Sequence, residues 1–167
     1  MKTRVSATAV LIGLIVALAW PVQAGLDDLV GVRIIHDMEI QLLMEKPKEM
    51  VMPAGPMAAH GMMMKMLPAS QATHHLEVKA FDILSKAPIP YMTIKATITR
   101  LDGGQAMAVE VPPMIGSAFH YGDNVALPGK GKYRIDLEIQ PPQLMRYANA
   151  KERWTAAPKL SFEYEYR

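Results

Sequence analysis

The sequence contains no cysteine in its 167 residues. Disulfide bonds, thiolate zinc sites, iron–sulfur clusters and blue-copper centres all need cysteine, so this chain forms none of them. Any metal ion that it binds must be held by histidine, methionine, carboxylate or backbone groups. The search for a site therefore starts with these residue types.

The chain also lacks an excess of charge of either sign. Its 18 Lys and Arg residues stand against 16 Asp and Glu residues. Lys2 and Arg4 belong to a segment that we expect to be removed, and without them the two signs are equal in number. Nucleic acids are bound by basic surfaces, so we expect no nucleic-acid partner.

Only one long hydrophobic run is present, at residues 10–20, and no second run follows it. It is shorter than the roughly 20 residues that a transmembrane helix needs. A basic start before the run and small residues after it are typical of a secretory signal peptide. We predict a signal peptide at 1–24 and a single mature domain at 25–167, located in the periplasm. Gly25 stands where a bacterial lipid anchor would need cysteine, so we expect the mature protein not to be membrane-anchored.

Apolar and polar residues alternate with a period of two in several segments, as in half-buried strands. The clearest are 132–140, 160–167 and 91–101, and Asp102-Gly103-Gly104 predicts a tight turn from the last of these into 105–111. Further strands are predicted at 38–44 and 75–83, with a short one near 124–127. No long segment has helical periodicity, and prolines separate the strands. The pattern predicts an all-β, immunoglobulin-like antiparallel β-sandwich.

A long loop at about 46–73 holds half of the methionines. Seven of the fourteen fall within 17 residues, and the loop far exceeds the usual two to six residues. One interpretation is that these methionines are flexible apolar filler that covers the sandwich or a partner surface. The other is a soft site for Cu(I), formed by thioethers such as Met62 and Met64 together with His60. Composition leaves both interpretations open.

Two further places combine ligand-type residues with ordered structure. His75 and Glu77 lie two apart on a predicted strand, so they project from the same face about 7 Å apart. His74 points to the opposite face, where a role at the core edge or the surface is expected. A later loop carries Met114 and His120. Taken alone, each of these patterns belongs more often to an ordinary solvated surface than to a metal site.

Short motifs follow one another in a specific order along the chain. They are His-Leu-Glu at 75–77, Ile-Pro-Tyr-Met-Thr-Ile at 89–94, Pro-Met at 113–114, His-Tyr-Gly-Asp-Asn at 120–124, Gly-Lys-Tyr at 131–133 and Pro-Pro at 141–142. This ordered set resembles the periplasmic iron-transport protein family, whose members are exported proteins associated with high-affinity iron permeases. The resemblance runs from about residue 37 to the C-terminal tyrosine-rich segment.

The resemblance implies an immunoglobulin-like homodimer that binds copper, with iron or manganese as further metals and an inner-membrane iron permease as partner. It implies that His75, Met114 and His120 are copper ligands. Glu77 matches an acidic residue beside the copper, which would orient a ligand or give an oxygen to an adjacent harder ion.

The chain departs from the family pattern at two places. An acidic residue expected before the second histidine is missing, and Gly116, Ser117 and Ala118 fill a gap that is one residue shorter. A histidine expected after the Pro-Pro pair is also missing. Met145 and Tyr147 stand nearest that position, and Met145 or a residue of the methionine-rich loop is our candidate for the remaining ligand. Such a set is softer and should favour Cu(I).

The leading hypothesis is a periplasmic copper-binding accessory protein that assists high-affinity iron uptake. An alternative is a methionine/histidine copper chaperone or copper-resistance protein, which the methionine-rich loop favours. A third is an interaction protein whose apolar methionine surface binds a partner without metal. An enzyme is not expected, because the sequence has no nucleophile elbow, no phosphate-binding glycine loop and no hydrolase-like set of histidine and carboxylate.

Overall fold

The computed structural model describes residues 28–51 and 66–167. The predicted signal peptide lies outside these ranges, as do His60, Met62 and Met64 of the methionine-rich loop. Strands dominate the described residues, with two short 3-10 turns at Ala69–Gln71 and Ala148–Ala150. None of the helical segments among the described residues has the length and apolar character required to cross a bilayer.

Nine strands in the described ranges form two sheets, in which every strand pair is antiparallel. The larger sheet has the order β1-β2-β3-β7-β6 and the smaller has the order β5-β4-β8-β9. The strands are β1 (Leu29–Ile35), β2 (Met38–Glu45), β3 (His74–Asp82), β4 (Thr93–Arg100), β5 (Met107–Glu110), β6 (Pro113–Ile115), β7 (Phe119–Val125), β8 (Gly131–Gln140) and β9 (Lys159–Tyr166).

The core lies between the sheets and follows from the alternation in sequence. Side chains on one strand point alternately to opposite faces, so every second residue is delivered to the interior. The larger sheet contributes Met38, Ile40, Leu42, Leu76 and Val78, and the smaller contributes Ile94, Ile98, Ile135, Leu137, Ile139 and Phe162, all buried. This arrangement confirms the predicted immunoglobulin-like antiparallel sandwich.

The predicted hairpin is also present. Strand β4 pairs with β5, and Ile98 lies opposite Met107. Gly103 and Gly104 of the turn have φ angles of 106° and 153°. Residues that carry a side chain rarely adopt φ angles in this range, which explains why the reversal uses two glycines.

The structure corrects the strand prediction in three places. β1 precedes the earliest predicted strand, at 38–44, and its alternation is interrupted by a register shift between Leu29 and Gly31. The three-residue β6 was not predicted, because it is too short to show a period. The strand expected near 124–127 ends at Val125 and starts earlier, at Phe119. Its polar residues His120 and Asn124 are buried, so the usual apolar pattern does not reveal it.

The connection from β8 to β9, residues 141–158, is fastened to the end of β3. The fully buried carboxylate of Asp82 accepts hydrogen bonds from the Ser85 amide at 2.8 Å and the Trp154 ring Nε1 at 2.9 Å, and it forms an ion pair with Arg153. Burial works to raise the pKa of Asp82, but these donors outweigh it and hold the pKa well below its usual range. The carboxylate therefore stabilises the fold in its charged form.

We expect Asp82→Asn to lower the free energy of unfolding at pH 7 by about 2 to 3 kcal/mol, the contribution of charge-assisted hydrogen bonds. Because the folded pKa lies below the unfolded value of about 3.9, this contribution is complete above that value and is lost as the pH falls further. Denaturant unfolding at pH 7 and pH 3 should show the difference between wild type and variant narrowing by about 1 kcal/mol.

Asp102→Asn serves as the control, because Asp102 is exposed in the β4–β5 turn. It should change the free energy of unfolding little at either pH. A difference for Asp82→Asn that stays constant between pH 7 and pH 3 would contradict the stabilising role of the charge.

Candidate metal centre

The candidate centre lies on the outer face of the larger sheet, away from the core. The pairing of β3 with β7 sets His75 opposite Asn124 and Glu77 opposite Gly122. Leu76 and Val78 point inward, so His75 and Glu77 share the outer face, as the spacing of two predicts.

His74 points inward at the core edge. Its Nδ1 lies 2.9 Å from the Thr73 hydroxyl and its Nε2 lies 2.8 Å from the Tyr164 hydroxyl. The ring also makes edge-to-face contacts with Tyr164 and Tyr166. Both ring nitrogens thus have partners, and His74 is a packing residue.

Three potential ligands converge on the outer face. His75, Glu77 and His120 each offer a ligand atom, and these atoms all lie within 4.8 Å of one another. The Nε2 of His120 is 3.6 Å from a carboxylate oxygen of Glu77, and the two imidazole rings are 5.9 Å apart and nearly perpendicular. The exposed fractions are only 1%, 6% and 8%. Buried polar groups normally have partners, so such a cluster is itself a sign of a site.

Both histidines use Nδ1 for a hydrogen bond, and His120 presents Nε2 to Glu77. The Nδ1 of His120 lies 3.0 Å from the Ala118 carbonyl oxygen, which can only accept, so Nδ1 is the donor and the lone pair of the neutral tautomer is on Nε2. The Nδ1 of His75 lies 3.1 Å from Oδ1 of Asn124. Burial lowers the pKa of His75, which favours the neutral ring that binds metals.

The Nε2 of His75 is buried and has no hydrogen-bond partner. It lies against Gly122, where an added Cβ would sit 2.6 Å from that nitrogen and 3.0 Å from the Leu76 carbonyl oxygen. Glycine is therefore needed here for close approach, not for an unusual φ. The unpartnered imidazole nitrogen is therefore a candidate metal-binding atom.

Glu77 has two neighbours of different kinds. One carboxylate oxygen is 2.9 Å from the Lys79 ammonium, and the other faces His120. The carboxylate is thus held between a fixed positive charge and the imidazole cluster. This position suits an oxygen donor at the edge of the site.

Met114 lies beside the cluster. It occupies β6 and is the direct cross-strand partner of His120 on β7. Directly opposite residues have Cβ atoms about 4.5 to 5.5 Å apart and share a face. The half-buried thioether therefore belongs to the same outer surface as the three buried groups.

Met145 is not brought to the cluster. It lies in the 141–158 connection and is fully exposed, as is most of Tyr147. The connection is fastened at Asp82, seven strand residues beyond His75, a distance of about 23 Å at 3.3 Å per residue. The acidic residue missing from the sequence leaves a plain turn, in which the Gly116 amide donates to the Ala118 carbonyl.

Sequence reasoning missed Asn124, which contacts His75 and is 3% exposed. The signal was present in the His-Tyr-Gly-Asp-Asn motif. On a strand, Asn124 shares the face of His120 because four residues separate them.

The chain belongs to the Fe2+ transport protein family, whose sequence profile matches residues 33–167. A curated UPF0423 protein of Brucella abortus is 31% identical over 157 residues, which cover 89% of this chain and 81% of the relative. The family resemblance found in the motifs is thereby confirmed.

Solved structures have the same fold. A copper-bound variant of FetP from uropathogenic Escherichia coli strain F11 matches with a TM-score of 0.69 and 25% identity, over 83% of this chain and 96% of FetP. Copper-reconstituted P19 of Campylobacter jejuni matches with a TM-score of 0.67 and 23% identity, over 83% and 94% of the two chains.

We expect Gly122→Ala to lower the free energy of unfolding by about 1 to 3 kcal/mol, because the added methyl group overlaps both the His75 ring and a backbone carbonyl. Gly116→Ala is the graded control. Its Cβ would meet only the His120 ring, at 3.1 Å, so its effect should be smaller. Denaturant unfolding measures both, and equal stability of Gly122→Ala and wild type would contradict the close approach.

Proposed function

We propose that this chain is a periplasmic copper-binding accessory protein that assists iron uptake through an inner-membrane permease. The observation that carries the proposal is the buried convergence of His75, Glu77 and His120. Membership of the Fe2+ transport protein family supports the link to iron. The copper-bound structure of FetP supports copper as the metal.

The donor chemistry fits copper. Imidazole nitrogens suit copper in either oxidation state, and the Met114 thioether adds a soft ligand that favours Cu(I). The orphaned Nε2 of His75 is the group that most needs a partner, since leaving it unpaired costs free energy. Copper, when bound, supplies one-electron redox chemistry at this position. His75, Met114 and His120 are the proposed ligands.

Glu77 is proposed to act beside these ligands. Carboxylate oxygens suit harder ions, so the role proposed for Glu77 is to give an oxygen ligand to an adjacent iron or manganese ion. Lys79 already neutralises one of its oxygens. In the absence of the family's second acidic residue, we expect binding of iron or manganese to be weaker than binding of copper.

Met145 is proposed as a ligand that a second copy of the chain contributes. Its thioether is fully exposed, and the loop around it is well ordered by Arg146. That guanidinium donates to the carbonyl groups of Pro142, Leu144, Arg153 and Trp154. An exposed thioether on a fixed loop away from the cluster of its own chain is available to the site of a second copy, so this assignment depends on the proposed homodimer.

Export completes the proposal. We propose that residues 1–24 are removed as a signal peptide and that 25–167 act as one periplasmic domain without a membrane anchor. The groups assembled at the site are those of a binding protein, and we propose no enzymatic reaction. The alternative function is that of a copper chaperone or copper-resistance protein, which the clustered methionines at 50–66 favour.

We expect purified mature protein to bind copper at the site and His75→Ala, His120→Ala to weaken Cu(I) and Cu(II) binding by about 100-fold or more. Loss of outer-shell partners alone typically costs 10- to 100-fold. Competition titration with chromogenic chelators, together with metal analysis, provides the measurement.

His36→Asn is the matched control for this experiment. His36 is exposed in the β1–β2 turn with a φ angle of 53°, which asparagine tolerates. It should keep wild-type affinity. Full copper stoichiometry and affinity in the double variant would refute the ligand assignment.

A deletion strain tests the role in iron uptake. We expect poor growth under iron restriction, rescue by the wild-type gene and no rescue by the double variant, because delivery depends on the metal site. Copper tolerance measured in parallel separates the alternatives. A strain that is sensitive to copper but grows normally under iron restriction would favour the chaperone or copper-resistance function instead.

A further inference from the structure

Asn124 is a buried side chain whose hydrogen-bonding capacity is completely used. Its Oδ1 lies 3.1 Å from both the Lys48 amide nitrogen and Nδ1 of His75. Its Nδ2 donates to the carbonyl oxygens of Lys48 at 2.8 Å and Leu67 at 2.9 Å. Two acceptor sites and two donor hydrogens are all that a side-chain amide has.

Backbone groups alone determine the orientation of this amide. The carbonyl groups of Lys48 and Leu67 can only accept, so the atom that faces them must be the NH2 group. The Lys48 amide can only donate, so the atom that faces it must be Oδ1. A flipped amide would lose all three bonds. The orientation therefore does not depend on any assumption about His75.

The fixed amide in turn determines the protonation of His75. Because Oδ1 of Asn124 is an acceptor, the Nδ1 of His75 that faces it must carry the hydrogen. A neutral ring then has its lone pair on Nε2. This is the nitrogen that has no partner and lies above Gly122, the cross-strand partner of Glu77.

We propose that Asn124 is the positioning residue of the metal centre, which fixes His75 as the Nδ1–H tautomer and thereby presents Nε2 to the ion. The metal part of this inference rests on the copper function proposed above. Metal-binding histidines commonly donate their other N–H to such a partner. Here the partner is held by two parts of the methionine-rich loop, Lys48 before its seven clustered methionines and Leu67 after them, so the geometry of these parts is transmitted to the ligand.

The opposite tautomer would be penalised twice. The lone pair of Nδ1 would face the lone pair of Oδ1, and the N–H at Nε2 would be buried without a hydrogen-bond partner. An unpaired buried polar group costs about 1 to 3 kcal/mol. Asn124 thus selects the tautomer before any metal arrives.

The test begins with metal-free protein. A long-range 1H–15N correlation spectrum of protein labelled with 15N-histidine distinguishes the tautomers, and the peaks of His75 are assigned by their loss in His75→Ala. We expect the Nδ1–H tautomer for wild-type His75. Observation of the Nε2–H tautomer would overturn the proposal without any need for a variant to fold.

Two variants then test the cause. Asn124→Asp keeps an acceptor for His75 and should keep the Nδ1–H tautomer, although it loses the donors to Lys48 and Leu67. Asn124→Leu removes the acceptor, so we expect the Nε2–H form to become populated and copper affinity to fall about 10- to 100-fold. Asn149→Ala, at the exposed other asparagine, should change neither.

The two readouts separate this inference from the copper function. An unchanged tautomer and unchanged affinity in folded Asn124→Leu would overturn the role of Asn124. Wild-type protein that shows the Nδ1–H tautomer but binds no copper would instead overturn the copper function, and with it the metal-positioning role, while the hydrogen-bond assignment stands.

Discussion

The register between β3 and β7 is the constraint on which the site depends. Pairing His75 with Asn124 and Glu77 with Gly122 places the imidazole beside its hydrogen-bond partner and places the carboxylate opposite the glycine against which the His75 ring packs. The same two strands deliver Leu76 and Tyr121 to the core. Because one set of backbone hydrogen bonds fixes both faces, the apolar core and the polar cluster are aligned by the same interaction.

Burial gives this cluster its chemical character. His75, Glu77 and His120 lie on a face that in most antiparallel sheets would be solvated, yet all three are buried. Removal from water disfavours the charged imidazole, so His75 is kept neutral. Its orphaned Nε2 is then stabilised only by a positively polarised partner, and a metal ion satisfies that need without a proton.

Local patterns in the sequence predict much of the fold. Strands β2, β3, β4, β8 and β9 each bury one apolar face, so their period of two is visible. The pattern fails for β7, because His120, Gly122 and Asn124 take positions that look solvent-exposed but are buried by the site. It fails for β1 because a bulge breaks the alternation.

The candidate site was predicted only in part, because local patterns reveal the face of a residue but not its contacts with distant strands. The spacing of His75 and Glu77 fixes their common face, whereas their approach to His120 depends on strand pairing across more than forty residues of sequence. No local pattern reveals that distance. The proposed ring tautomer depends on Asn124, which is 49 residues away from His75 in sequence, and on the Lys48 and Leu67 carbonyl groups that orient its amide.

The start of β3 carries adjacent histidines that serve opposite faces, and this repetition creates an ambiguity for folding. A slip of β3 by one residue would leave an imidazole at either face, so the histidines alone discriminate poorly between the two alignments. Glu77 removes the ambiguity, because the same slip would drive its carboxylate into the apolar interior, at a large desolvation cost. Glu77, proposed to lie beside a bound cation, thereby also disfavours misalignment of the strand during folding.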